Sequence, residues 1–246
     1  MHKHEKQQIS SGATVIDELL EGGYEKSIIT TIYGPAGAGK TNLMLIALCN
    51  CIKNGGKAIY IDTEGSFSVE RVLQIYPDFQ ARAKQVVFMR PYTFDEQKQA
   101  VLKLKETVDE NPKEYQLIII DSIAMLYRLE SSKTLDPNFV NKELALQLGN
   151  LMEIARKHSV PVLVTNQVYA DFDRKDMIKM VGGDLLKYTS KCLLELKKAH
   201  NGLRVATLIR HRSIAEGKEI AFRIVSTGVE KEVINPISDI SEEQLL

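Results

Sequence analysis

The sequence has no net charge, since 32 Lys and Arg stand against 32 Asp and Glu. A global field that gathers nucleic acid or acidic substrates is excluded, and any polyanion binding must come from a local patch. Cysteine is scarce, with Cys49, Cys51 and Cys192 too few for a disulfide scaffold. Cys49-x-Cys51 lies inside an apolar helical run, where reduced core thiols are a plainer reading than a metal pair. No run approaches the ~18 apolar residues of a membrane span. The opening MHKHEKQQISSG is polar, without an apolar stretch of signal-peptide type, and its His2 and His4 have no partner cluster. A cytoplasmic protein without membrane attachment is therefore expected. Internal repeats and low-complexity tracts are also lacking.

What is present is globular: 246 residues, 44% hydrophobic and 26% charged. The pattern reads as one domain over 1–246, with a polar N-terminal tail at 1–9 and an acidic C-terminal tail at 231–246. Strand-like runs at Ile28–Tyr33, Ala58–Asp62, Gln85–Met89, Leu117–Asp121 and Pro161–Asn166 are β-branched or continuously apolar. Between them, Thr41–Lys53, Val69–Tyr76, Phe94–Glu110 and Phe139–His158 carry apolar residues at helical spacing. Continuous apolar strands alternating with helices predict a mostly parallel sheet covered on both faces. After Asn166, the short runs Leu193–Leu196, Arg204–Ile209 and Glu219–Val225 predict antiparallel hairpins extending one edge.

The strongest motif is Gly34-Pro35-Ala36-Gly37-Ala38-Gly39-Lys40-Thr41, which fits G-x-x-x-x-G-K-[ST] between a strand and a helix. Its glycines let backbone N–H groups face phosphate oxygens. The helix adds its positive end, Lys40 a point charge, and Thr41 a hydroxyl for Mg²⁺. A nucleoside triphosphate is the expected ligand. Asp121 ends an apolar strand, the arrangement that holds a Mg²⁺-bound water beside such a loop. Glu64, just past a neighbouring strand, is placed to orient the water that attacks the γ-phosphate. Gln167 closes a further strand, where a neutral amide can bond the γ-phosphate and change partner after hydrolysis. Taken alone, each of these three is an ordinary strand-end polar residue. Beside a P-loop they form a site.

GPAGAGKT, YIDTEGSFSVERV, LIIIDSIAMLYR and VLVTNQV, in this order and spacing, resemble the RecA/RadA recombinase family. SSGATVIDELLEGG upstream and Val181-Gly182-Gly183-Asp184 downstream continue the match, which covers roughly residues 10–230. The resemblance is strongest to the short archaeal RadA paralogues. It implies a RecA-like P-loop NTPase core with a central, mostly parallel sheet, flanking helices and a C-terminal antiparallel hairpin extension. Lys40, Thr41 and Asp121 become phosphate and Mg²⁺ ligands, Glu64 the water-orienting carboxylate, and Gln167 the sensor. Arg71 matches an arginine that stacks on adenine, as a planar guanidinium does well. Gly12 lies near the start, so the helical domain and Phe-x-x-Ala linker of RadA-type proteins are expected to be absent. Where those proteins carry an Asp-Ser-Pro-x-Leu-Pro cap on a neighbour's ATP, this chain has Arg210-His211-Arg212-Ser213-Ile214-Ala215-Glu216-Gly217. Filament formation and strand exchange are therefore not expected. Arg210 and Arg212 match basic residues that reach a neighbour's γ-phosphate. With self-association they serve as arginine fingers; otherwise they are available to DNA phosphate.

Residues 196–218 hold Lys197, Lys198, Arg204, Arg210, Arg212 and Lys218 against Glu216 alone, a local net +5 that can neutralise phosphates. A charge-blunted pair of edge strands has the same composition. The family's two DNA loops correspond to residues 128–141, with Arg128, and 168–181. The second loop offers Tyr169 and Phe172 for base stacking, and Arg174, Lys175 and Lys179 for phosphate, among three aspartates. The expected function is an ATP- and Mg²⁺-dependent, DNA-binding accessory of a RadA-type recombinase in recombination and repair. Single-stranded or branched DNA is the expected substrate, and ATP turnover should be weak and not strongly stimulated by DNA. The alternative is a signalling-type ATPase of the same fold that acts on protein partners without DNA. The lack of an LSGGQ-type signature disfavours a transporter ATPase, and the Glu64 and Gln167 pair disfavours a small-molecule kinase.

Overall fold

The computed structural model describes residues 7–133, 136–170, 178–180 and 182–232. The chain opens with β1 (Gln8–Ile9), α1 (Thr14–Leu19) and β2 (Tyr24–Glu25). A strand–helix series follows: β3 (Ile29–Gly34), α2 (Lys40–Lys53), β4 (Lys57–Asp62), α3 (Val69–Ile75), α4 (Phe79–Arg82), β5 (Val86–Met89) and α5 (Phe94–Glu110). It continues through β6 (Tyr115–Asp121), α6 (Met125–Ser131), α7 (Pro137–His158) and β7 (Val162–Ala170). The C-terminal part holds β8 (Ile178–Met180), α8 (Gly183–Thr189), β9 (Cys192–Lys198), β10 (Leu203–His211), β11 (Glu219–Val225) and β12 (Gly228–Glu232).

The main sheet runs β12-β11-β10-β9-β3-β7-β6-β4-β5, with β8 paired on β7. Strands β9, β3, β7, β6, β4 and β5 are mutually parallel, whereas β10, β11 and β12 pair antiparallel. The predicted architecture is thus present, with one refinement: β9 belongs to the parallel set and the antiparallel extension begins at β10.

Burial on both faces explains the continuous apolar strands. Leu117 and Ile119 of β6 and Leu163 of β7 pack with α2, while Ile118 and Ile120, Val162 and Val164 pack with α5 and α7. Alternate residues serve opposite cores, as the two-residue period of a strand requires. Each fully buried Ile or Leu contributes about 1.5–3 kcal/mol. Helix starts follow capping chemistry. Thr93 accepts from Glu96 N–H, and Ser68 accepts from Arg71 N–H.

Several boundaries differ from expectation. Gln8 and Ile9 pair with Glu25 and Tyr24, and Lys231 and Glu232 pair with Phe222 and Ala221. Both expected tails therefore contribute strand residues. Helix α7 begins at Pro137, capped by Asp136, so Phe139 lies inside its first turn. The expected loop from Val168 starts as strand, because Val168, Tyr169 and Ala170 pair with Met180, Lys179 and Ile178. Among the described residues, no helix is long and apolar enough to cross a membrane.

Candidate nucleotide site

The register of the sheet assembles the site. Gly34 lies beside Gln167, and Asp62 beside Asp121. The C-terminal ends of β3, β7, β6 and β4 thus form one row, the edge where open α/β sheets bind ligands.

At Gly34 the loop leaves β3, and a Cβ there would lie 2.2 Å from the Leu196 carbonyl oxygen, so only glycine fits. Gly39 is the left-handed N-cap of α2, with φ of 105° and the Ile224 methyl closing on it. Lys40 is buried, and its ammonium donates to the carbonyls of Gly34 at 2.8 Å and Pro35 at 2.9 Å. Burial lowers its pKa, while Glu64 and Asp121 pull it back up. Pro35 and Ala36 form the loop's outer bend, and Ala38 is buried in the core.

Asp121 is only 1% exposed, so its carboxylate depends on donors within the protein. Thr165 donates to Oδ1 at 2.5 Å, and Tyr60 and Ser66 donate to Oδ2 at 3.0 and 3.1 Å. Burial together with Asp121 raises the Tyr60 pKa well above its usual value, which keeps the phenol protonated as a donor. Thr41 Oγ1 lies 3.5 Å from Ser66 Oγ.

Glu64 is fixed by two partners. Ser122 Oγ donates at 2.6 Å, and the Gln167 amide spans both carboxylate oxygens at 3.1 and 3.0 Å. The loop carrying Glu64 is held from beneath by Asp62, which accepts from the N–H groups of Glu64, Ser66 and Phe67. Arg90 lies 3.6 Å from Asp62 and over the Phe88 ring. Sequence reading missed Tyr60, Asp62, Ser66, Ser122 and Thr165. The D-x-E spacing of Asp62 and Glu64 was the one visible signal; the others are small polar residues without a motif.

These residues suit a nucleotide triphosphate and magnesium. The glycine turns form a cradle that a Cβ would obstruct, and a helix N-terminus faces it. A threonine hydroxyl with one carboxylate is the hard, oxygen-only donor set of a Mg²⁺ that keeps waters and phosphate oxygens as ligands. Among the described residues, no cluster of three or more His, Cys, Asp or Glu is arranged to hold a metal. The three cysteines are buried and free, and burial pushes each thiol up to about 12, as for reduced core residues.

Arg71 occupies a different setting from the one expected. Its guanidinium donates to Asn42 Oδ1, Gln74 Oε1 and the carbonyls of Val225, Ser226 and Gly228. Its edge is committed to clamping the β11–β12 turn against α2 and α3, which leaves only the ring-like face for a base.

The expected basic stripe is not a stripe. Arg204 pairs with Lys198 and His211 with Cys192, whereas Thr30 of β3 also aligns with Cys192. Lys197, Lys198 and Arg204 therefore lie at the P-loop end of the sheet. Arg210 and Arg212 lie at the other end, about 20 Å away at strand rise. Lys197 pairs with Glu195, Arg212 with Glu25, and Lys218 with Glu21, while Arg210 donates to the Lys187 carbonyl at 2.5 Å. Arg204 Nη2 reaches the Gly37 carbonyl at 3.3 Å, a P-loop contact with no sequence signal. Arg128 lies on α6, lining a small cleft with Ala124, Met125 and Gln167. Phe172, Arg174 and Lys175, and the side chains of Tyr169 and Lys179, lie outside the described residues.

Comparison with known proteins identifies the family. The Rad51 family model matches residues 2–232. A DNA repair and recombination protein RadB from Methanosphaera stadtmanae is 42% identical, the match covering 87% of this chain and 92% of the relative. The protein of the same name from Thermoplasma acidophilum is 37% identical, over 90% and 93%. The crystal structure of the RadB recombinase superposes with a TM-score of 0.76 at 37% identity, covering 92% of this chain and all of that one. The chain belongs to the Rad51 family, in its RadB group.

Proposed function

We propose that this chain binds ATP and Mg²⁺, binds DNA, and acts in homologous recombination and repair as an accessory of a RadA-type recombinase. The recombination and repair role rests on family membership. The accessory role rests on the departure at residues 210–217, with which slow ATP turnover, little DNA stimulation and no strand exchange are expected.

In this reading the P-loop from Gly34 to Thr41 and Lys40 cradle the phosphates, and Arg71 offers its guanidinium face to the base. Thr41 and Asp121 would hold Mg²⁺, which would supply charge neutralisation to the phosphates. Glu64 accepts a proton from water as that oxygen bonds to the γ-phosphorus and the bond to the β-bridging oxygen breaks. Ser122 and Gln167 hold the Glu64 carboxylate in one orientation, so Gln167 senses the γ-phosphate while touching the base itself. The observation that carries the reading is this Gln167–Glu64 contact at the mouth of a P-loop. DNA is assigned to Arg128, Tyr169, Phe172, Arg174, Lys175 and Lys179, and not to Arg210, which lies at the opposite end of the sheet from Gln167 and Arg128. Arg212 is discounted because Glu25 already neutralises it.

The test is fluorescence anisotropy with labelled single-stranded DNA and with nucleotide, in wild type and Lys40→Ala. Salt-sensitive DNA binding that responds to Mg-ATP in wild type, and loss of nucleotide binding in the variant, are expected. Normal Mg-ATP binding by Lys40→Ala would refute the site. One observation favours a second reading: Lys197, Arg212 and Lys218 are already paired with carboxylates. No DNA binding at low salt, in either nucleotide state, would transfer the function to a protein-regulating ATPase.

A further inference from the structure

Three hydroxyls surround the Asp121 carboxylate, and they are not equivalent. Tyr60 and Thr165 are fully buried, each on a strand next to β6. Ser66 sits on the half-buried loop after β4, and it alone of the three also meets Thr41. Its backbone N–H is anchored to Asp62 Oδ1 at 3.1 Å, which places the hydroxyl between α2 and β6.

A hydroxyl has one proton and two lone pairs. Ser66 spends its proton on Asp121 and accepts from Thr41, so the hydrogen bonds run in one direction from Thr41 through Ser66 to Asp121. A threonine hydroxyl that ligates a cation becomes a stronger donor and needs an acceptor turned away from the metal. Ser66 is that acceptor. By accepting the Thr41 hydrogen bond it would leave the Thr41 lone pairs free for a cation, and it ties Thr41 to Asp121.

We propose that Ser66 is a positioning residue of the magnesium site, relaying hydrogen bonds from Thr41 to Asp121 so that both oxygens are held in one array. This rests on the reading of the P-loop as an ATP and Mg²⁺ site. Partners that orient metal ligands typically contribute 10–100-fold to metal affinity. Ser66 acts at the longer distance of 3.5 Å, so the lower end applies.

The experiment measures the Kd of a fluorescent ATP analogue in EDTA and across a Mg²⁺ titration, for wild type, Ser66→Ala and Ser66→Thr. Expected for Ser66→Ala is unchanged affinity in EDTA and a roughly tenfold higher Mg²⁺ midpoint, restored by Ser66→Thr. A wild-type Mg²⁺ midpoint in Ser66→Ala overturns the proposal while leaving the nucleotide site standing. Weakened binding in EDTA would overturn it too, by showing that Ser66 shapes the loop and not the metal array. If wild type binds no nucleotide, the site reading itself fails and the proposal falls with it.

Discussion

Replacing Arg71 by Ala should loosen the C-terminal end of the sheet. The side chain makes five hydrogen bonds, and those to Asn42, Val225 and Gly228 are partly buried while those to Gln74 and Ser226 are exposed. Hydrogen bonds from a charged donor contribute about 1.5–3 kcal/mol when sheltered. With partial exposure discounted, about 1 kcal/mol for each of the three sheltered bonds gives a loss of about 3 kcal/mol. For a domain of this size that corresponds to a fall in Tm of about 6–12 °C. Thermal unfolding should show the fall, and amide hydrogen exchange should localise it to Val225–Glu232, which face α1 and α2. Arg71→Lys should recover little, since a single ammonium cannot reach acceptors on α2, α3 and the β11–β12 turn together. A Tm within about 1 °C of wild type, with β12 amides still protected, would refute the clamp and return Arg71 to the role of a base-stacking residue alone.

Glu64→Gln should keep ATP binding and reduce hydrolysis by about 10²–10⁴, the usual share of a general base; unchanged single-turnover hydrolysis would remove Glu64 from the chemistry. Gly34→Ala should destabilise by about 1–3 kcal/mol and abolish nucleotide binding, because its Cβ would meet the Leu196 carbonyl oxygen at 2.2 Å. Urea unfolding and nucleotide titration check this, and a fully stable, binding-competent variant contradicts it. Burial lowers the His211 pKa more than the nearby Glu25 raises it, with Arg212 lowering it further. Its neutral ring accepts from Ser213 N–H at 3.2 Å. Since the unfolded state then takes up the proton first, stability from this site is present above pH ~6.5 and declines as pH falls below it. His211→Gln should flatten urea stability between pH 7 and pH 5, at about the limits of histidine titration; an unchanged slope would exclude His211 as the source.

Much of the fold is legible locally. The apolar runs of β3, β4, β6 and β7 and the helical spacings of α2, α5 and α7 identify themselves because burial on two faces leaves a periodic trace. The P-loop is legible for the same reason, since its glycines and Lys40 act within eight consecutive residues. The short pairings are less so. Gln8–Ile9 is two residues long and finds its partner across α1, so its neighbours in sequence carry no strand signal.

The sequence by itself determined the strand–helix alternation, the phosphate loop, the acidic and amide strand ends, and the family to which they belong. Each is a pattern of backbone preference or side-chain type over a few adjacent positions. Only the tertiary structure decided what those groups meet. Arg71 finds its carbonyl acceptors 154 to 157 residues later in the chain, and Gln167 finds Glu64 across 103 residues. Of the six clustered cations of residues 196–218, Lys197, Lys198 and Arg204 lie at the opposite end of the sheet from Arg210 and Arg212, and three of the six pair with Glu195, Glu25 and Glu21. Charge sums along a chain ignore strand direction. A hairpin that carries cations at both ends of an antiparallel strand separates them in space, and the fold then sets Arg212 and Lys218 against Glu25 and Glu21, nearly two hundred residues earlier in the chain, where no local reading can see them.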